Sequence, residues 1–273
     1  MDNNQNQYSV EIKECMMNFP KIEWNSIVDN LSDVLENNPF KGKNAFSLAD
    51  LCSNNVQLIL NEPNHTHEGI DLPVLLSNKN SSDDTIMIIG ESPIRDTRQL
   101  KNGGLYIGTP FAVAGIKDVP NQCNIYKYIF CHLLNERYKV YITDAVKVWY
   151  NGLGKKDFIK EFKSNNYHYQ EILREEINSV KPKLIVTWGE TAKKTCEIIA
   201  NGFTQKFPPI FHQPHPVKLN WDRWKVKMLS DAIRKGEGVG KEYIGDPQNN
   251  ADKDSIYLSY YIAQEILTEA KKR

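Results

Sequence analysis

The chain lacks paired cysteines, surplus charge and long apolar runs. Its five cysteines, Cys15, Cys52, Cys123, Cys131 and Cys196, show no C-x-x-C spacing. That pattern excludes a zinc ribbon and fits reduced thiols rather than a disulfide framework. Lys plus Arg equals Asp plus Glu at 34 each, so no global field draws the chain to polyanions, and any phosphate-binding surface must be a local patch. No stretch approaches the roughly 18 uninterrupted apolar residues of a membrane span, and Met1-Asp2-Asn3-Asn4 lacks the basic start of a signal peptide. The expectation is a cytoplasmic protein with no membrane partner. Gly152-Leu153-Gly154-Lys155-Lys156 has neither the preceding strand nor the Lys-Ser/Thr ending of a phosphate loop. His65 and His67 stand at i, i+2 without a further ligand nearby and read as solvated loop histidines, so no metal is expected.

What is present suits one large α/β domain with attachments: 273 residues, 40% of them hydrophobic. Short continuous apolar runs at 85–89, 139–143, 183–187 and 210–212 predict strands buried on both faces. Between them, apolar residues at helical spacing predict helices over 124–134, 169–180 and 191–199. Alternating strand and helix predict a three-layer sandwich with a central, mainly parallel four-stranded sheet and helices on both faces. Residues 1–83 read as an N-terminal helical and loop region packed on the core, with helices at 24–35 and 45–60 and a short strand at 72–76. Residues 84–235 form the core, including a helix at 221–232, and 236–273 a linker and C-terminal helix over 256–270.

The stretch from Thr85 to Gly115 organises the rest. Its opening strand runs into Gly90-Glu91-Ser92-Pro93, where glycine permits a turn and proline bars a helix. A carboxylate, a hydroxyl and backbone amides therefore sit at the C-terminal end of a sheet strand, the ligand-binding edge of open α/β sheets. These residues, with Gly108-Thr109-Pro110-Phe111 and Ala114-Gly115, resemble the G-E-x-P-G and G-x-P-F-x-G-x-A-G signatures of the uracil-DNA glycosylase superfamily, closest to its iron-sulfur branch. Three later stretches follow in the family's order. Tyr141 to Lys147 (YITDAVK) resembles Y-I-T-N-x-V-K, Leu184 to Gly189 (LIVTWG) resembles I-V-x-L-G, and His215-Pro216 resembles the start of H-P-S. The iron-sulfur branch holds a four-cysteine cluster for which this chain has no suitable cysteines, so no cofactor is expected.

The resemblance implies hydrolysis of the bond between sugar and base in DNA, leaving an abasic site. Such chemistry needs an extruded base, a stabiliser for charge on the departing ring, and a placed water. Phe111 is the candidate aromatic platform; its other reading is core packing beside Pro110. His215 is the candidate hydrogen-bond donor to a pyrimidine O2. Glu91 is the candidate for orienting or deprotonating water, or else caps backbone amides of its turn. Ser92 occupies the place of an Asp or Asn in other branches, and Asp96 is a reserve acid. His212 reads as scaffold.

Asp144 stands where the family motif has Asn, whose amide pairs with uracil. An ionised Asp accepts from the N4 amino group of cytosine, and a protonated one can match cytosine or, turned over, uracil. Ile94 lies where the best-known branch walls off C5 with Tyr, and the polar insert 95–106 can shape a roomier pocket. In these respects the chain is similar to phage-defence members acting on modified cytosines. Phosphate contacts are expected from Lys147, Lys155, Lys156, Lys218, Arg223 and Lys225, with Trp149, Tyr150, Trp221 and Trp224 interleaved. The alternatives are a uracil repair enzyme and a DNA-binding module without catalysis.

Overall fold

The computed structural model describes residues 45–48, 67–77, 80–91, 106–112, 123–150, 155–203, 206–216 and 250–273. In chain order the strands are β1 (Ala45–Leu48), β2 (His67–Asp71), β3 (Val74–Ser77), β4 (Thr85–Gly90), β5 (Tyr106–Gly108), β6 (Lys139–Asp144), β7 (Val148–Tyr150), β8 (Leu184–Trp188) and β9 (Ile210–Gln213). The helices are α1 (Cys123–Asn135), α2 (Lys155–Val180), α3 (Glu190–Asn201) and α4 (Asn250–Lys271).

Among the described residues the central sheet has six strands in the order β1-β3-β6-β4-β8-β9. The four expected strands are its parallel part: β4 pairs in parallel with β6 and β8, and β8 with β9. Two antiparallel strands extend it, β3 on β6 and β1 on β3. The sheet is therefore α/β as expected but wider than four strands. Ala45–Leu48 is a strand where a helix was predicted, because its alternating Phe46 and Leu48 find register partners in Leu76 and Val74. Strands β1 and β3 come from the segment before residue 84, so the sheet draws on both sides of that position. The expected helices at 24–35 and 221–232 lie outside the described residues.

Both faces of the parallel strands are covered, which explains their continuous apolar runs. Side chains alternate: Ile86, Ile88, Val140, Ile142, Leu184, Val186 and Trp188 pack with Ile129, Phe130 and Leu133 of α1 and Ile262 and Ile266 of α4. Met87, Ile89, Tyr141 and Ile185 pack with Leu173 and Ile177 of α2 and Ala192, Cys196 and Ile199 of α3. Helix α2 begins fourteen residues before the expected start at Tyr169, and α4 six before Ile256. Both helices open on polar sequence, Lys155-Lys156-Asp157 and Asn250-Ala251-Asp252-Lys253-Asp254, which carries no apolar periodicity to mark a beginning. Among the described residues no helix is long and apolar enough to cross a membrane.

A second, three-stranded sheet was not foreseen. Strand β2 lies between β5, to which it is parallel, and β7, to which it is antiparallel. Its sequence, His-Glu-Gly-Ile-Asp, is short and polar and reads as loop. Its role is positional: Asp71 pairs with Gly108, just before the Thr109–Phe111 segment, and its amide donates to the Lys147 carbonyl at 2.8 Å, just after Asp144.

Candidate active site

Gly90 ends β4 directly opposite Asp144, which ends β6. The amides of Ala145 and Val146 then donate to the carbonyls of Gly90 and Glu91, at 2.8 and 3.2 Å, and lock the two turns together. A methyl group on Gly90 would stand 2.7 Å from Cζ of Phe111 and closer still to Oδ1 of Asp144. Only glycine lets these two side chains meet over the strand end. Asp144 is 2% exposed there.

Phe111 sits in a one-turn 3-10 helix, Pro110–Ala112, with φ 57° and ψ 17°. A left-handed conformation costs a residue with a Cβ about 1–2 kcal/mol, and such strain persists where surrounding packing over-determines it. The packing here is aromatic. Tyr126 of α1 stacks on Phe111 at 4.7 Å between centroids, Trp188 meets it edge-on at 5.2 Å, and His215 lies at 5.8 Å. Trp188 donates from Nε1 to Oε1 of Gln213 at 3.1 Å, and Gln213 donates in turn to Glu265 of α4 at 3.1 Å. The C-terminal helix thus braces the segment that ends β9 two residues before His215.

The His215 ring is mostly buried, and Nδ1 lies 3.3 Å from the Tyr126 hydroxyl. Burial lowers its pKa below the ordinary histidine value, with the nearby Glu91 charge pulling weakly the other way, so the neutral imidazole is favoured. Glu91 accepts a 2.9 Å hydrogen bond from the Thr191 amide in the first turn of α3. The capping reading of Glu91 was right in kind, but the amide belongs to a helix 100 residues away rather than to its own turn. Gly189, at φ 99°, makes room for this: a methyl group there would meet Oε1 of Glu91 at 2.7 Å.

Glu91, Phe111, Asp144 and His215 therefore converge at one end of the parallel strands, although up to 124 residues separate them. This is the edge where open α/β sheets bind ligands. The sequence profile of the Uracil DNA glycosylase superfamily matches residues 78–235, more than half of the chain and all four of these side chains. The chain belongs to this superfamily. Among curated proteins, none matches it. Membership in the uracil-DNA glycosylase superfamily supports a DNA glycosylase type of function, with DNA as the substrate bound.

Lys147, expected among the phosphate contacts, requires correction. It is 0% exposed, and its Nζ donates to Oε2 of Glu176 on α2 at 2.8 Å and to the Thr143 hydroxyl. A side chain folded under the sheet and paired there does not reach a phosphate. Burial pushes the Glu176 carboxyl up, opposed by Lys147 and Thr143, and it pushes the neighbouring Cys196 thiol up to about 12. His212 is exposed, with Nδ1 3.2 Å from the Thr187 hydroxyl. Ser92, Ile94, Asp96, Lys218, Arg223, Lys225, Trp221, Trp224 and His65 lie outside the described residues, as does the insert before Tyr106. Lys155, Lys156, Trp149 and Tyr150 are placed by their backbones alone.

Tyr126, Trp188 and Gln213 were missed. Trp188 carries a signal in the sequence, because it fills the place of Leu in the I-V-x-L-G pattern. Tyr126 is visible only as an apolar-face residue one turn before Phe130, which does not distinguish a site residue from core.

Proposed function

We propose that the protein is a monofunctional DNA glycosylase that hydrolyses the N-glycosidic bond of a flipped pyrimidine, with a C5-modified cytosine as the preferred base. The observation that carries the reading is the meeting of Phe111 and Asp144 over Gly90, with His215 and Glu91 beside them. The extruded ring stacks on Phe111. As the N1–C1′ bond breaks, the electron pair passes to the base, and His215 donates a hydrogen bond to O2, where negative charge gathers. A neutral donor suits this task, and burial favours the neutral ring. Water adds to C1′, its proton leaving toward the Glu91 carboxylate or solvent, and the sugar is left abasic. Glu91, fixed by the Thr191 amide at the start of α3, also offsets positive charge on the sugar.

Asp144 in place of Asn carries the choice of base. Ionised, it accepts from N4 of cytosine; protonated, it offers its hydroxyl to N3 and its carbonyl oxygen to the N4 amino group. An enzyme removing ordinary cytosine would destroy its host's genome, so selection must extend to C5. Hydroxymethyl or glucosyl groups, such as some phages attach, fit that requirement, and the reading places the protein in defence against such DNA. Uracil is the competing substrate, since a protonated Asp144 turned over matches it.

The test uses duplex and single-stranded oligonucleotides carrying uracil, cytosine, hydroxymethylcytosine or glucosylated hydroxymethylcytosine, with abasic sites cut by alkali. Cleavage confined to the modified cytosines is expected. Cleavage at uracil alone replaces the substrate with uracil, and none at any base leaves a binding module. Asp144→Asn should move the ratio of uracil to cytosine-type activity by about 10- to 100-fold, the 1–3 kcal/mol that a base-reading pair is worth. An unchanged profile would mean that Asp144 does not read the base.

A further inference from the structure

We infer that Tyr126 is a positioning residue for both ends of the base site: its hydroxyl donates to Nδ1 of His215, and its ring backs one face of Phe111. The inference rests on the glycosylase reading for its catalytic consequence, but its structural content can be measured without activity. The geometry comes first. Tyr126 is 7% exposed on α1, its hydroxyl stands 3.3 Å from Nδ1 of His215, and its ring stacks on Phe111 at 4.7 Å and 30°. Trp188 closes the group at 5.8 Å from Tyr126 and 6.4 Å from His215. One helix residue thus touches two side chains that arrive from distant loops.

The chemistry follows from the two nitrogens of a neutral imidazole, one of which carries the proton while the other accepts. With the Tyr126 hydroxyl donating to Nδ1, the proton sits on Nε2. The ring then presents N–H to an electron-rich oxygen such as a pyrimidine O2. The opposite tautomer would point a bare lone pair at that oxygen and repel the charge that develops there. Burial disfavours the imidazolium, which would otherwise offer N–H at both positions. The ring of Tyr126 acts separately. It covers one face of Phe111 and buttresses a residue held at φ 57°.

Two substitutions separate the roles. Tyr126→Phe keeps the stack and removes the hydroxyl, while Tyr126→Leu removes both. Long-range proton–nitrogen correlation on the 15N-labelled full chain reports the tautomer of each of the six histidines, with a His215→Asn spectrum assigning the signal. Nε2–H is expected for His215 in the native chain, and a rise in the Nδ1–H form in Tyr126→Phe. On an oligonucleotide that the native protein cleaves, Tyr126→Phe should lower kcat about tenfold, the equivalent of one well-placed hydrogen bond, and leave KM unchanged. Tyr126→Leu should raise KM as well. A proton on Nδ1 in the native chain, or a tautomer indifferent to Tyr126→Phe, overturns the inference. A native Nε2–H signal without cleavage of any oligonucleotide would instead overturn the glycosylase reading and leave the positioning intact.

Discussion

The two faces of the central sheet are built from different side chains and serve different ends. Under α1 and α4 the layer is rich in rings, with Tyr126, Phe130, Tyr138 and Trp188 among its buried residues, and Phe111 packs against it. Under α2 and α3 it is mostly aliphatic, from Met87 and Ile89 to Leu173, Ile177 and Ile199, and the Lys147–Glu176 pair is buried beneath the same sheet. The ring-rich face runs on into the candidate site. Rings are flat and stiff, and Tyr and Trp carry polar handles, so such a layer can hold a base platform and orient a histidine in one stroke. The aliphatic face supplies packing, and its charge pair ties the turn after Asp144 to α2.

The sharpest way to break that contrast is at Trp188. Trp188→Ala should cost about 3–5 kcal/mol in urea unfolding, as expected for a fully buried ring, and should lower kcat of the protein that remains folded. Full activity per folded molecule would show that the aromatic layer is only packing. On the other face, Lys147→Met should cost about 3 kcal/mol by leaving Glu176 buried without its cation. The double variant with Glu176→Leu should recover most of that loss. The salt slope of DNA binding should not change in Lys147→Met; a slope smaller by about one would return Lys147 to the phosphate contacts.

The smallest effect is a titration on the ring-rich side. His132, stacked edge-on with Tyr260 of α4, has its pKa lowered from 6.5 to about 4 by burial, with Glu136 pulling it up. The unfolded chain takes up this proton before the folded one does. Stability is therefore complete above pH 6.5 and falls as the pH drops toward 4, by about 2 kcal/mol at pH 5. Chemical unfolding between pH 7 and 5 checks this, and His132→Gln should flatten the slope. An unchanged slope would place the acid sensitivity elsewhere.

Much of this was legible in the chain. The parallel strands announced themselves because burial on both faces demands unbroken apolar runs, and the motif order carried Glu91, Phe111, Asp144 and His215. Strands β1 and β2 were hidden for opposite reasons. The first lies in a segment whose apolar spacing also suits a helix, and the second is polar because a short strand clasped between two others does not need an apolar repeat. Lys147 misled because a lysine beside a motif reads as solvated, whereas a buried carboxylate on a helix 29 residues on had already claimed it.

From the residues alone come the fold class, the strand edge that bears the site and the side chains able to do the chemistry, because local periodicity and turn chemistry are properties of neighbours in sequence. Folding had to decide which of those side chains meet: Glu91 with Thr191, Phe111 with Tyr126 and Trp188, Gly90 between Phe111 and Asp144. Those contacts join residues from 15 to 100 positions apart, and no spacing rule encodes a distance that only the crossing of packed layers creates.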